Sequence, residues 1–490
     1  MPTLFRNASW SGIAAGFRAA SGLFNALLAV RLLGLENYGH VATLLSLFVL
    51  YLSLNSGFFT VLVVKLMAPD AAQANNSVIL ASSAIFTALS IVGLGGITLL
   101  LSEFAPRLMS IEPGNTLSLE IRHVMLLMGV ITAIQIMAAW HSALIESVGR
   151  LDLAMKCQLM GPLIVLVLLA TLFFAHRTIT ATEYMLALGA GALTDLSLLW
   201  FARHKVMTFS IFTWPTRQRI QGLVHLLRSG SVLQATSLMN MFLEPLNKLL
   251  LNHFVGAAAV TIYDLAMKVI WGIQYLFSAT MRVFLHLGSQ DQEAVGPTFY
   301  RVIAVFAVPV VILHATGALF LAGIAHYWLS MDATQLMLFF AIATLSNLGM
   351  IFITPLYISL IGRGDLNFIF RSQAILAITN VIVAVALVPT IGLIGAAFGL
   401  LAATTYNVLA IYARCKAGSE TFSDLRQLLL GRRATYALTL LLFIAAILWG
   451  IKGGGNFTGI LLIVLGLSAI MIREPIVGIL LGRMRLKYKG

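Results

Sequence analysis

Three stretches of this 490-residue chain place ionisable and aromatic side chains on single helical faces inside otherwise apolar sequence. Between 258 and 286, Asp264, Lys268, Trp271, Tyr275 and Arg282 recur at helical spacing along a stripe of about 27 Å. Between 223 and 254, Asn240, Glu244, Asn247 and Lys248 occupy neighbouring faces, and Pro245 invites a bend. Near the start, Ser11, Arg18 and Asn25 share one face. A guanidinium such as that of Arg18 can grip a pair of phosphate oxygens, and a stripe of cations and aromatic rings suits a moving headgroup. Each has a plainer alternative: a salt bridge between helices for Arg18, an i,i+4 pair for Asp264 with Lys268 and for Glu244 with Lys248, and packing for Trp271 and Tyr275. Arg31 and Arg282 could reach outward to water.

These charges matter because their surroundings are oil. Sixty per cent of the residues are hydrophobic and 10% charged, whereas an ordinary soluble domain carries about a quarter charged. Apolar runs long enough to cross about 30 Å of hydrocarbon fall near 8–33, 39–66, 78–102, 120–145, 157–176 and 180–202. A second set falls near 223–254, 258–286, 300–325, 334–361, 370–388 and 391–413, and a final pair near 434–451 and 457–472. The expectation is an all-α, polytopic membrane protein of about 14 transmembrane helices. The first apolar run is too long for a signal peptide and contains Arg18, so it is expected to remain as a helix.

The basic residues test this layout, since they took no part in choosing the spans. With the N-terminus inside, roughly twenty Lys and Arg fall on the cytoplasmic side and about four opposite, namely Arg107, Arg122, Arg177 and Lys452. The net charge of +13 is then mostly topology rather than a nucleic-acid surface. Cys157 and Cys415 fall at the expected cytoplasmic face, where thiols stay reduced. His141 and His225 lack metal-ligand company, so no metal or cofactor is expected.

The chain also repeats itself. "GRLDL" at 149–153 returns as "GRGDL" at 362–366, and "ARHK" at 202–205 returns as "ARCK" at 413–416. "LLGLENYGHVA" at 32–42 and "FVGAAAVTIYD" at 254–264 each place a glycine between the first two helices of a half. About six spans separate equivalent points, so the halves enter the membrane in the same sense, as two parallel six-helix lobes with a C-terminal helix pair. The expected divisions are 1–215, 216–420 and 421–490. In the GRxDL turn the glycine should end one helix and the aspartate cap the next.

At "AVRLLGLENYGHVATL" and "NKLLLNHFVGAAAVTIYDLAMKV" the chain resembles the bacterial polysaccharide (O-antigen) flippases of the Wzx type, within the multidrug, oligosaccharidyl-lipid and polysaccharide exporter (MOP) superfamily. The resemblance covers most of the chain, but many relatives have Asp where Asn247 stands. It implies a multi-pass protein of the bacterial inner membrane, with both termini cytoplasmic, that moves an undecaprenyl-pyrophosphate-linked glycan between leaflets by alternating access. A polysaccharide polymerase and chain-length machinery stand as candidate partners beside the membrane lipids. A lipid diphosphate requires cations along its path, and a sugar requires hydroxyl partners and flat rings. The candidate substrate-contact set is therefore Arg18, Asn25, Arg31, Asn55, Lys248, Asp264, Lys268, Trp271, Tyr275 and Arg282, with Glu244 and Asp264 as candidates for ion coupling and Asp195 as a lesser position.

Three rival activities share features with this reading. A cation-coupled drug exporter needs an anionic cavity, whereas the intramembrane charges here are Arg18, Arg31, Arg228, Lys248, Lys268 and Arg282 against Asp195, Glu244 and Asp264. A lipid II flippase would use the same chemistry, and the sequence separates it poorly. A membrane-embedded polymerase would need a large extracytoplasmic loop, and the longest one expected runs only from 103 to 119. No Walker-type phosphate cradle and no clustered nucleophile, base and orienting group are found, so an enzyme is not expected.

Overall fold

A computed structural model describes residues 2–67, 73–108, 116–206, 224, 234–236, 238–239, 242–280, 295–329 and 333–416. The expected helix pair at 434–472, the expected lobe junction near 215, and Arg228 and Arg282 lie outside the described residues. Among the described residues the chain is helical, and nine helices are long and apolar enough to cross a membrane. The protein is thus an all-helical, multi-pass membrane protein, because in hydrocarbon a helix satisfies every backbone polar group internally.

The helices in order are α1 (Pro2–Leu33), α2 (Leu35–Met67), α3 (Gln73–Leu108), α4 (Thr116–Ser147), α5 (Leu151–Cys157), α6 (Met160–Phe174), α7 (Ala181–Val206), α8 (Glu244–Phe254), α9 (Ala257–Thr280), α10 (Val295–Gly323), α11 (Thr334–Gly362), α12 (Leu366–Ile391) and α13 (Leu393–Lys416). A π-helical turn, Ile324–Trp328, follows α10. The chain groups into two compact units, Met1–Asp264 with Leu366–Gly392, and Leu265–Asp365 with Leu393–Gly490.

In the first unit α4 is central and packs against α2, α3 and α7, while α6 packs on α7 and α1. Small residues set the close approaches that let helices associate in lipid. A Cβ on Gly191 would lie 2.8 Å from the Gly161 carbonyl oxygen. Where hydroxyls and rings are buried they find partners: Trp140 Nε1 donates to Ser83 Oγ at 2.9 Å, and Phe58 stacks on Phe86 with centroids 3.7 Å apart. Helix α8 joins this unit through α2 and α12.

In the second unit α10 packs on α11, and α11 on α13. His314 is fully buried yet satisfied. Its Nδ1 donates to the Val310 carbonyl at 2.7 Å, which leaves Nε2 to accept from Asn347 Nδ2 at 3.0 Å. Asn347 also donates to the Ile270 carbonyl at 3.2 Å, so this polar group ties α9, α10 and α11 together.

The glycines between paired helices adopt the left-handed conformation that only glycine enters cheaply. Gly34 (φ +85) turns α1 into α2, and Gly256 (φ +112) turns α8 into α9. Gly149 and Gly364 both have φ +77, and each donates to the carbonyl three residues back, Glu146 and Ile361. The following amides, of Arg150 and Asp365, reach back five residues to Ile145 and Leu360. The structural partner of Gly149 is therefore Gly364, two positions beyond the glycine that the letter match aligns. In the first half this corrects the capping expectation as well: Arg150, not Asp152, stands at the N-cap of α5, with no side-chain cap bond, whereas in the second half Asp365 stands directly before α12. Asp152 sits inside the first turn and pairs with Arg150 at 3.3 Å.

Candidate functional site

Among the described residues, the strongest concentration of buried charge lies where the α8–α9 hairpin packs on α2. Pro245 in the first turn of α8 is tolerated because the amide it lacks would be unpaired there anyway. One turn along, Lys248 points its ammonium between two carboxylates, 2.5 Å from Glu244 Oε1 and 2.6 Å from Asp264 Oδ1. The Lys248 and Asp264 side chains are 4% and 2% exposed and that of Glu244 is 14% exposed, so water does little to solvate this triad. Across from them Tyr38 of α2, itself buried, donates its hydroxyl to Asp264 Oδ2 at 2.6 Å. Charges so placed are costly in hydrocarbon unless each is paired and hydrogen-bonded, which is what Lys248 and Tyr38 accomplish for Asp264.

A ring of neutral polar contacts fixes the same hairpin. Asn380 of α12 donates to the Phe242 carbonyl at 2.6 Å and to Asn247 Oδ1 at 3.3 Å, and Asn247 in turn reaches the Tyr263 hydroxyl at 3.5 Å. Asn252 donates to Thr43 Oγ1 at 3.0 Å, and Thr261 donates to the Leu35 carbonyl at 2.6 Å. At Gly39 any side chain would meet the Ala257 carbonyl oxygen 1.9 Å from its Cβ. The two glycine-bearing turns quoted from the repeat, 32–42 and 254–264, therefore bond to one another.

The structure places the other expected residues as follows. Arg18 is exposed; its guanidinium donates to Gln158, and the carboxylates of Asp195 and Glu146 act on it electrostatically. Asp195 accepts the Gly161 amide at 2.8 Å. Asn25 is buried with its Oδ1 unbonded, and Asn55 is buried and donates to the Tyr51 carbonyl of its own helix at 2.8 Å. Arg31 is exposed near the end of α1. On α9 beyond Asp264, Lys268 and Trp271 are half-buried and Tyr275 is exposed.

Sequence reasoning missed Tyr38, Tyr263 and Asn380. Tyr38 stands inside a string already singled out, and Asn380 is a lone amide in an apolar run, the kind of residue that rarely sits in a span without a bonding task. A small recess lies beside this region, lined by Asn37, His40, Val41, Leu44, Glu120 and neighbouring apolar side chains.

Among known proteins, no family model and no curated protein matches the chain in sequence. Solved structures do match in fold. The lipid II flippase MurJ in an inward closed conformation superposes with a TM-score of 0.69 at 13% identity, covering 95% of this chain and 99% of its own. An inward-facing multidrug resistance MATE family transporter gives 0.60 at 14% identity, covering 81% and 95%. A MOP superfamily transporter from Pyrococcus furiosus, described as having a binding pocket of reverse polarity, gives 0.57 at 15%, covering 85% and 96%. The architecture that brings Lys248, Glu244, Asp264 and Tyr38 together is thus similar in fold to these solved flippase and transporter structures.

Proposed function

We propose that the chain is a flippase that carries an undecaprenyl-pyrophosphate-linked oligosaccharide from the cytoplasmic to the periplasmic leaflet of the bacterial inner membrane, by alternating access of two six-helix lobes, 1–215 and 216–420. The observation that carries this reading is the end-to-end match to a flippase fold, 95% of this chain against 81–87% for the MATE transporters. The sign of the intramembrane charge supports it, since cations outnumber carboxylates six to three among the positions named above. Both termini are cytoplasmic in this reading, and the product serves surface polysaccharide synthesis.

The diphosphate is the part of the substrate that hydrocarbon rejects, so its path needs fixed cations. Arg18, exposed on α1 and held by a neutral amide, is the first assigned; Arg31, Lys268 and Arg282 follow, and Trp271 and Tyr275 offer flat faces to sugar. Asn25 on α1 and Asn55 on α2 supply amides. Lys248 has a conditional role. Glu244 and Asp264 share the Lys248 ammonium. A proton on either carboxylate loosens one of the two bonds on the ammonium and leaves it available to phosphate, which couples transport to the proton gradient. Transport that keeps its rate when the gradient is collapsed would remove this coupling.

A second reading, lipid II flippase, is favoured by the same fold match. Deleting the gene separates the two. Loss of surface polysaccharide with lipid-linked repeat units held on the inner leaflet supports the first, whereas lysis with arrested peptidoglycan synthesis supports the second. Arg18→Ala should then reproduce the defect while the protein remains in the membrane; loss of the protein itself would make Arg18 structural.

A further inference from the structure

A second buried cation, with two imidazoles beside it, stands where the C-terminal ends of α4 and α7 meet, and neither the flippase reading nor the fold requires it. Arg203, near the C-terminus of α7, is 1% exposed, yet its Nε and Nη1 meet no hydrogen-bond partner. Its Nη2 lies 3.2 Å from His204 Nε2. His141 on α4 is equally buried, its Nδ1 is likewise unbonded, and Arg203 and His204 are close enough to act on it electrostatically. Around them Ala138, Ile145, Ala154, Leu199 and Ala202 form an apolar cluster. A guanidinium cannot shed its charge, and one buried with two idle donors is an incomplete arrangement.

The internal repeat shows what is missing. The arginine of "ARCK", Arg414, corresponds to Arg203 of "ARHK", and Arg414 is complete: it bonds Asp365 through Nε at 2.9 Å and Nη2 at 2.8 Å. Asp365 immediately follows the left-handed glycine of its turn. In the first half, the residue after the matching glycine is Arg150. The position that gives the second half a carboxylate gives the first half another cation.

We propose that Arg203, with His141 and His204, forms a phosphate-binding site at the basic end of α4 and α7, in which an external phosphate group takes the place that the Asp365 carboxylate holds in the second half. Nε together with the second hydrogen of Nη2 offers the edge that Arg414 gives Asp365 and matches two phosphate oxygens, while Nη2 keeps His204 Nε2 as its other acceptor and the unbonded Nδ1 of His141 is a further donor. The basic residues place this end at the cytoplasmic face, where such a group is available both from the headgroups of anionic lipids and from free phosphate in the cytosol.

The full-length protein tests this in two arms. In uncharged detergent, thermal melting is followed with sodium phosphate against sodium chloride at equal ionic strength. In nanodiscs, retention of phosphatidylglycerol is compared with phosphatidylcholine by native mass spectrometry. A response of the wild type in either arm, weakened about tenfold or more in Arg203→Gln, restored in part by Arg203→Lys and unchanged in Arg414→Gln, supports the site. The arm that responds identifies the source. Should Arg203→Gln fail to fold, His141→Asn is measured in its place with the same expected loss. A wild type that answers neither probe beyond its control, or an Arg203→Gln protein that answers as the wild type does, overturns the proposal.

Discussion

Replacing Lys248 by Met isolates the energetic logic of the buried triad. Methionine keeps the volume and flexibility of the side chain but removes the ammonium that lies 2.5 and 2.6 Å from Glu244 and Asp264. Asp264 keeps the Tyr38 hydroxyl at 2.6 Å, and two carboxylates lose the cation they shared. Removing one partner of a buried pair typically destabilises by about 3–5 kcal/mol. For a chain of 490 residues the unfolding entropy is of order 1 kcal/mol per kelvin. The melting temperature should therefore fall by about 3–5 °C, read by intrinsic fluorescence of the protein in mild detergent. The companion variant replaces all three, Lys248→Met with Glu244→Gln and Asp264→Asn. Because neutral groups of similar shape need no counter-charge, it should recover most of that loss. A single variant that melts within a degree of the wild type, or a triple variant no better than the single, would refute the claim that the ammonium neutralises the two carboxylates.

Other substitutions probe the neighbouring geometry. Gly39→Ala would set a methyl carbon 1.9 Å from the Ala257 carbonyl oxygen, and since backbone must move, a loss of about 2 kcal/mol or more is expected in the same melt. Gly34→Ala has open space but keeps φ +85, so it should lose only about 1 kcal/mol; a larger loss than at Gly39 would invert the reasoning. Asp365→Asn breaks an ion pair whose side chains are 24% and 53% exposed, and should change stability by less than about 1 kcal/mol. Asn380→Leu removes donors to the Phe242 carbonyl and to Asn247, and a loss of about 1–3 kcal/mol is expected from the buried acceptors left behind.

The sequence by itself determined the class of molecule and much of its punctuation. Hydropathy over a 20-residue window is a local quantity, because each span meets lipid on its own terms, and so the described helices fall close to the runs marked from composition. The left-handed glycines at 34 and 256 were legible too, since a tight reversal between helices demands positive φ whatever the rest of the fold does. Only the tertiary structure decided which charges meet. Along α9 the spacing offered Lys268 as a partner for Asp264; that Lys248 on the preceding helix and Tyr38 on α2 also bond it follows from packing at Gly39 and Ala257, which no periodicity encodes. The repeat teaches the same lesson. Its letters align Gly149 with Gly362, while the hydrogen bonds align it with Gly364, because a turn is defined by backbone handedness and by which carbonyls its amides reach. That two-residue displacement leaves Arg150 in one half where Asp365 stands in the other, and with it the difference between Arg203, buried with idle donors, and Arg414, bonded to a carboxylate.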